Sequence, residues 1–296
     1  MKKKCKFCNC KIEFFLSTFD YNRRYSKKKY KYFKCPNCQT IVLKNFPKNN
    51  SLAYRDGYYK TKNKNQIFKD NKNRIDYLLK LNLKKNSNIL EIGSGYGEFL
   101  YCAKTLGYNP IGLDINPKLN NFTIKNYNIK TIINRKISSF KKKFDLIVSW
   151  HSLEHFENPK NILTSISKMI KKNGYLILSL PNPRSLGFKI LKSKWPHLDA
   201  PRHRTLIDIK IIQKFFENKN FETILKTTND KDSRYNNRLS YAIYVSNLFN
   251  SKSFFKIKKI ERNFFHLVGV FLSMLFFPLE NIKYNGSCYN IVLKKK

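Results

Sequence analysis

Acidic side chains are scarce in this 296-residue chain, which holds 19 Asp and Glu against 59 Lys and Arg and therefore has a formal net charge of +40. No internal repeat is evident, so we expect one large domain or a domain with appendages. The first residues, Met1–Cys8, hold cations and cysteines but no apolar stretch, and no signal peptide is expected there. Hydrophobic residues nevertheless make up 42% of the chain, which is enough for a real core.

The large positive charge has two interpretations. A basic protein often binds nucleic acid or an anionic membrane surface. The lysines are, however, spread along the chain rather than clustered, and Lys, Asn, Ile, Tyr and Phe share A/T-rich codons, so drift in composition explains the same charge. An anionic substrate is compatible with either interpretation, and the charge alone selects no partner.

Long hydrophobic runs are also missing. The longest, Phe264–Leu279, is shorter than the roughly 20 residues that a membrane span needs, and it contains His266. The first interpretation is a buried or subunit-interface helix. The second is an interfacial membrane helix, supported by the cations between Lys256 and Arg262, and a true span is the third. Peripheral association with a membrane therefore stays open, as does the oligomeric state.

Two pairs of cysteines have the spacing of a metal site. Cys5-x2-Cys8 and Cys35-x2-Cys38 each place two thiolates at the tip of a tight turn, and two such turns complete a tetrahedral site that suits Zn²⁺. Four thiolates leave no open coordination position, so the zinc is predicted to be structural. Cys10 is an alternative ligand, and disulfide pairing is an alternative to metal binding. Seven cysteines without an export signal favour a reducing, cytoplasmic compartment.

A glycine-rich turn follows the first strongly apolar strand pattern. Ile89–Ile92 runs into three alternate glycines, Gly93, Gly95 and Gly97, and a helix-like apolar pattern comes next. Strand, glycine turn and helix is the arrangement by which an α/β sheet brings bare backbone close to a nucleotide-like ligand. A dinucleotide fingerprint needs a small residue at position 98, where this chain has Glu98. The carboxylate disfavours a pyrophosphate ligand.

Acidic residues near this turn favour a different ligand. Glu91 lies on the strand just before the glycines, and Asp114 ends the next apolar run, where an acid is expected to bind ribose hydroxyls. Carboxylates at both places suit a ligand with an adenosine, a free amino group and a positive centre. The candidate cofactor-binding residues are therefore Glu91, Gly93, Gly95, Gly97 and Asp114.

Four segments of the chain follow one another at plausible spacing: Glu91–Gly97, Gly112–Asp114, Phe144–His155 and Asn173–Pro181. Together they resemble the class I S-adenosylmethionine-dependent methyltransferases, over roughly residues 70 to 228. The resemblance implies an α/β, Rossmann-like fold with a seven-stranded sheet and S-adenosylmethionine as cofactor. In that family the residues around Trp150 and His151 border the cofactor. The last strand, Tyr289–Leu293, is expected to lie antiparallel at the edge of the sheet.

Four regions are predicted from this organisation. They are a zinc ribbon at 1–47, a connector at 48–72, the S-adenosylmethionine-binding core at 73–230, and C-terminal apolar helices with the last, edge strand at 231–296. The first region resembles the zinc-binding segment that precedes the methyltransferase domain in bacterial sugar C-methyltransferases. The short C-terminal half looks more like that of ubiquinone-type O-methyltransferases. Thr205-x-x-Asp208 resembles a capping box that starts a helix, and Asn173-Gly174 resembles the end of another.

Histidines are the candidate bases for methyl transfer. The sulfonium of S-adenosylmethionine already activates the methyl group, so the enzyme need only align a nucleophile and remove a proton where required. His151 and His155 follow the fourth strand at its carboxyl end, where ligands bind in open α/β sheets. His203, beside Arg202, lies on the loop after the fifth strand, which covers the substrate in the resembling family. His203 and His155 are therefore candidate catalytic residues.

These features predict methyl transfer from S-adenosylmethionine to an O or C atom of a small molecule, with a sugar or cell-envelope glycan precursor favoured by analogy with the zinc-bearing enzymes. One alternative is an rRNA base methyltransferase with a zinc module, which the charge would suit. Such guanine methyltransferases typically have His in the last zinc position, where this chain has Cys38, and no Asn-Pro-Pro-Tyr motif is present. A non-enzyme alternative is a zinc-ribbon interaction protein with a degenerate methyltransferase domain.

Overall fold

A computed structural model describes residues 4–44, 46, 62–133, 137 and 142–296. The strands are β1 (Glu13–Thr18), β2 (Tyr30–Lys34), β3 (Ile41–Lys44), β4 (Asn88–Ile92), β5 (Asn109–Asp114), β6 (Thr131–Ile133), β7 (Phe144–Trp150), β8 (Ile170–Pro181), β9 (Thr205–Leu206), β10 (Phe221–Thr227) and β11 (Cys288–Lys295). The helices are α1 (Lys64–Asp70), α2 (Lys72–Lys80), α3 (Glu98–Thr105), α4 (Pro117–Tyr127), α5 (Pro159–Met169), α6 (Leu186–Leu191), α7 (Ile209–Glu217), α8 (Lys231–Phe249) and α9 (Lys259–Asn281). The connector predicted at 48–72 lies outside the described residues up to position 61, and α1 occupies much of its remainder.

Seven strands form the central sheet, in the order β10-β11-β8-β7-β4-β5-β6. The strands from β8 to β6 are parallel. Leu146 and Val148 of β7 pack in a cluster with α2 and α3, whereas Ile147 packs in a cluster with α5 and α7. Helices therefore cover both faces of the sheet, which explains the near-continuous apolar runs of its strands. The predicted α/β fold with a seven-stranded sheet is confirmed.

The prediction that the last strand lies at the sheet edge is wrong. β11 lies between β8 and β10 and is antiparallel to both, so that Ile291 pairs with Leu178 on one side and with Lys226 on the other. The edge strand is β10. Residues Cys288 to Leu293 are buried in succession, as expected of a strand with neighbours on both sides and helices on both faces.

A second sheet of four strands joins the N-terminal module to the domain that contains the seven-stranded sheet. β1, β2 and β3 are antiparallel, and β3 pairs with β9 through Ile41 with Leu206 and Val42 with Thr205. β9 directly follows the loop that carries His203. The cysteine-bearing module and this loop therefore belong to one continuous piece of structure.

Two local predictions need correction. Thr205 lies in β9, and the residue that caps α7 is Asp208, whose side chain accepts a backbone N–H of the first helical turn at 2.9 Å. α5 ends at Met169, before Asn173-Gly174, and β8 begins immediately afterwards. The left-handed φ of Asn173, +61°, instead lies within β8, where the register against β7 shifts.

The C-terminal apolar run belongs to α9, which packs along α8. This run is not buried within the chain, because most of its large apolar side chains face outward, and this leaves the subunit-interface and membrane interpretations. Those exposed are Phe264, Leu267, Phe271, Met274, Leu275, Phe277 and Leu279. Within the described part of the chain, α9 is the one helix long and apolar enough to cross a membrane.

Candidate active site

The glycine turn after β4 closes onto the end of β5. The backbone N–H of Gly95 donates to Asp114 Oδ2 at 2.9 Å, and Asp114 Oδ1 accepts the backbone N–H of Asn116 at 2.9 Å. Gly97 has a φ of +69°, and a Cβ at this position would lie 2.5 Å from a side-chain carbon of Thr123. Glycine is therefore required at 97 by both conformation and space. The turn and Asp114 therefore lie together at the carboxyl ends of β4 and β5, where the sequence predicts the cofactor crevice.

Several buried polar atoms beside this crevice have no hydrogen-bond partner among the residues that the structure describes. They include Glu91 Oε2, Ser94 Oγ and Trp150 Nε1. Buried polar atoms are normally paired, so such a group marks a place for a polar ligand. Burial also raises the pKa of Glu91 to about 8, and a cationic amino group beside it would favour its charged form. These residues fit S-adenosylmethionine, which carries an amino group, ribose hydroxyls and a sulfonium.

Trp150 and His151 lie at the end of β7, next to the crevice. The indole of Trp150 is buried against aromatic side chains of α2 and α3. His151 has a φ of +48°, and its Nε2 hydrogen-bonds with Ser179 Oγ of β8 at 3.1 Å. A Cβ on Gly93 would lie 1.8 Å from Ser152 Oγ, so the first glycine lets the ends of β4 and β7 approach each other. The predicted cofactor-binding residues are therefore brought together.

Glu154, His155 and His203 form a second group at the same edge of the sheet. One ligand atom from each lies within 4.8 Å of the others. His155 Nδ1 lies 2.9 Å from the carbonyl oxygen of Arg202, and His203 Nδ1 lies 2.8 Å from that of His197. Because a carbonyl only accepts, Nδ1 of His203 carries the proton and Nε2 of its neutral ring presents a lone pair. The group could hold a metal ion or accept a proton.

Burial sets the charge of this group. It lowers the pKa of His203 to about 3 and also lowers the pKa of His155, so both imidazoles are neutral near pH 7. Burial raises the pKa of Glu154 to about 8. His203 Nε2 lies 3.8 Å from Glu154 Oε1 and 3.7 Å from Asp199 Oδ2. A proton that reaches His203 would face the ionised carboxylate of Asp199, which stabilises an imidazolium.

A buried ion-pair network fixes the loop that carries His203. Arg202 is 1% exposed, and its guanidinium donates to Asp199 Oδ2 at 2.9 Å and to Asp20 Oδ1 at 2.5 Å. The hydroxyl of Tyr32 lies 2.8 Å from the carbonyl oxygen of His203. Asp20 and Tyr32 belong to the N-terminal module, so that module braces the loop. Arg202 is fully engaged in this network and positions the loop.

Arg202→Ala is expected to lower the free energy of unfolding by about 3–5 kcal/mol, because it leaves the carboxylates of Asp20 and Asp199 buried without a counterion. Urea denaturation measures the change. The matched control is Arg184→Ala, since Arg184 is about half exposed and pairs with Asp208 at 3.3 Å. Arg184→Ala is expected to lower the free energy of unfolding by at most about 1 kcal/mol. Equal losses in the two variants would contradict the assigned role of Arg202.

The four predicted zinc ligands lie together in the N-terminal module. Cys5 Sγ is 3.5 Å from Cys38 Sγ, Cys8 Sγ is 3.4 Å from Cys35 Sγ, and all four sulfur atoms lie within 4.8 Å of one another. Sulfur atoms that share a tetrahedral zinc ion at about 2.3 Å lie about 3.8 Å apart, so the cluster has the right size. Cys10, the alternative ligand, is outside this group.

Two residues of the site, Asp20 and Glu154, were given no role in the sequence analysis. Asp20 and Asp199 both contact Arg202, and Asp20 does so from 182 positions away, a separation over which no local pattern extends. Glu154 precedes His155 directly and is itself buried in a short turn, and its adjacency to a candidate base is the signal that could have identified it. The missed residues are thus those whose role depends on long-range contact or burial.

Comparison with known proteins places this site in a family. A family profile described as a methyltransferase domain matches residues 64–226, more than half of the chain. The mitochondrial ubiquinone biosynthesis O-methyltransferase of Schizosaccharomyces pombe is 26% identical over 122 residues, which are 37% of this chain and 44% of that protein. The ubiquinone biosynthesis O-methyltransferase of Pelagibacter ubique is 31% identical over 121 residues, 38% of this chain and 50% of that protein. The chain thus spans about half the length of these curated relatives.

Solved structures share the fold at low sequence identity. One of them is a protein from Galdieria sulphuraria described as a sarcosine dimethylglycine methyltransferase. It is 13% identical with a TM-score of 0.54, and the match covers 77% of this chain and 86% of the Galdieria chain. The mycolic acid cyclopropane synthase CmaA1, solved with SAH, is 14% identical with a TM-score of 0.51. The match covers 75% of this chain and 83% of the chain of CmaA1. The matched domain shows that the chain belongs to the methyltransferase domain family, and the solved structures show that it shares the fold of class I S-adenosylmethionine-dependent methyltransferases.

Proposed function

We propose that this protein transfers the methyl group of S-adenosylmethionine to an oxygen atom of a small-molecule acceptor. The observation that carries the proposal is the hydrogen bond from the Gly95 N–H to the Asp114 carboxylate at the carboxyl ends of two neighbouring strands, one of which carries the buried Glu91. Both curated relatives are named as O-methyltransferases, which supports an oxygen nucleophile over a carbon nucleophile. Transfer to a carbon atom is the alternative, and analysis of the product would distinguish a C-methylated from an O-methylated acceptor.

The side chains of the crevice would hold the cofactor by complementary charge. Asp114 would accept ribose hydroxyls while it keeps its hydrogen bond from Gly95. Glu91 would accept from the amino group, and its burial strengthens that interaction. S-adenosylmethionine supplies an electrophilic methyl group on a sulfonium, whose positive charge the acidic crevice favours.

His203 is the proposed base, with His155 beside it. The acceptor hydroxyl would give its proton to Nε2 of His203 as its oxygen forms the new bond to the methyl carbon. Nε2 presents a lone pair for this purpose, because Nδ1 is held by the carbonyl of His197. Asp199 and Glu154 then face the imidazolium at 3.7 and 3.8 Å.

The proposed acceptor is a hydroxyl-bearing metabolite, and a sugar or cell-envelope glycan precursor is one of two classes. The cysteine module supports this class through its resemblance to that of sugar-modifying enzymes. The names of the curated relatives support the other class, phenolic precursors of quinones. An acceptor with a phosphate or carboxylate suits the +40 charge in either class.

Isothermal titration with S-adenosylmethionine tests the cofactor site. Asp114→Ala is expected to weaken binding by about 100-fold or more, because hydrogen bonds to a charged group are lost. Asp76→Ala is the matched control, since Asp76 pairs only with exposed Lys72, at 3.7 Å, on α2. The Asp76→Ala variant should bind S-adenosylmethionine with the affinity of the wild type. Absence of binding by the wild type at millimolar cofactor, or an unaltered affinity in Asp114→Ala, would overturn the proposal.

Transfer of a labelled methyl group identifies the acceptor class. The wild type is offered dihydroxyphenols, nucleotide sugars and rRNA in separate reactions, with Asp114→Ala as the inactive reference. Label in an alkali-stable methyl ether of a phenol or sugar is the expected result. Label in rRNA alone, together with RNA binding that falls steeply with salt, would overturn the proposed acceptor and select nucleic acid.

We also propose that the four-cysteine cluster binds a structural Zn²⁺. The sulfur separations and the absence of a fifth ligand atom from the described cluster support a closed tetrahedral site. Such a site would act on methyl transfer only through the loop that the module braces, by way of Asp20 and Tyr32.

A further inference from the structure

The outer face of α9 is an unusually large apolar surface. Six side chains on it, each between 59% and 77% exposed, are Ile260, Phe264, Leu267, Phe271, Met274 and Leu275. Their spacing of three or four residues places them in one stripe along the helix. About half of the exposed large apolar side chains in the described chain lie between Leu248 and Tyr284. A patch of this kind on a soluble domain marks a surface that something else covers.

The inner face of α9 is held firmly on α8 by small and polar residues. Gly269 lies so close to α8 that a Cβ would approach the carbonyl oxygen of Arg238 to 2.4 Å. Buried Glu280 accepts hydrogen bonds from Asn237 Nδ2 at 2.6 Å and from the Tyr241 hydroxyl at 2.9 Å. Removing α9 from α8 would leave Glu280 without these donors. The helix is therefore built to lie along the protein with its apolar side outward, rather than to leave it and cross a bilayer.

Cations surround the start of this helix. Lys252, Lys256, Lys258 and Lys259 are all exposed, directly before or at the first turn of α9. They add to a net charge of +40 on the whole chain. Pairing two copies through this face would bring like charges together, which is unfavourable. A surface that offers negative charge beside an apolar layer matches both the lysines and the stripe.

We propose that the outer face of α9 docks this protein on an anionic lipid bilayer. The helix lies in the plane of the membrane, its apolar stripe enters the boundary between headgroups and acyl chains, and the lysines contact lipid phosphates. The occupant of the patch is thus a lipid surface, and a second copy of the chain is the competing outcome.

Co-sedimentation with vesicles tests the proposal. The full-length protein is mixed with vesicles of phosphatidylcholine alone or with about 30% phosphatidylglycerol added, at low and high salt. Binding to the anionic vesicles, weakened by salt, is expected. The variant Leu267→Gln/Met274→Gln should reduce the partition coefficient by about 100-fold, since two large apolar side chains no longer enter the membrane. Its thermal unfolding and its affinity for S-adenosylmethionine should stay at wild-type values, because both side chains are exposed.

The matched control is Ile124→Gln/Ile224→Gln, which replaces two exposed aliphatic side chains on α4 and β10. It should bind vesicles like the wild type. The proposal is overturned if the wild type ignores anionic vesicles, or if both double variants bind them equally well. It is also overturned if light scattering shows a dimer in detergent-free buffer that only Leu267→Gln/Met274→Gln dissociates, because a second copy would then cover the face.

Discussion

Replacement of His203 with alanine is expected to lower kcat by about 10²–10⁴-fold, the usual contribution of a positioned general base. Affinity for S-adenosylmethionine should hardly change, because His203 contacts Glu154, Asp199 and the carbonyl of His197 rather than the crevice lined by Asp114. Initial rates with saturating cofactor, measured beside isothermal titration, separate the two effects. The control is His266→Ala, since His266 packs on Phe254 in the C-terminal helices.

The pH dependence of kcat adds a test that a purely structural role would not meet. Burial lowers the pKa of His203 to about 3, so the neutral, proton-accepting form persists well below pH 6.5. A lowered pKa moves the acid limb of the profile to lower pH, and kcat should therefore stay level from about pH 8 to about pH 5. A decline centred near pH 6.5 would contradict the buried neutral imidazole. So would a His203→Ala variant that retains wild-type kcat.

Local patterns were sufficient for the parts of the site that lie close together in sequence. The glycine turn and the two cysteine pairs each occupy a few consecutive residues, so their spacing already specifies their geometry. Asp114 could be placed because parallel neighbouring strands end at the same edge of a sheet. These residues meet in the structure as expected, with Gly95 bonded to Asp114 and the four sulfur atoms clustered.

Long-range packing limited the rest of the prediction. β11 was assigned to the edge, although its run Ile291-Val292-Leu293 is the continuous apolar pattern of an internal strand. The apolar run of α9 was interpreted first as buried or as a subunit interface and second as membrane-facing, because periodicity shows which side chains share a face, not which partner covers that face. Here the side against the protein carries Gly269 and Glu280, and the apolar side faces outward.

Loss of the zinc ion is expected to have the largest effect on stability. The free energy of zinc binding in small four-ligand sites, about 10–16 kcal/mol, is largely free energy of folding. Cys35→Ser should therefore abolish zinc binding and unfold the N-terminal module, with a marked fall in thermal stability. Since Asp20 and Tyr32 brace the loop of His203 from that module, kcat should fall further than the affinity for S-adenosylmethionine.

The matched control is Cys10→Ser, because Cys10 lies beside the knuckle but outside the sulfur cluster. Elemental analysis of the reduced protein should find one zinc ion per chain in the wild type and in Cys10→Ser, and none in Cys35→Ser. A strong chelator should reproduce the Cys35→Ser phenotype in the wild type and have no further effect on the variant. Wild-type protein that contains no zinc yet unfolds at the same temperature with and without chelator would refute the metal site. The bracing of the active-site loop by Asp20 and Tyr32 would then depend on packing and ion pairs alone.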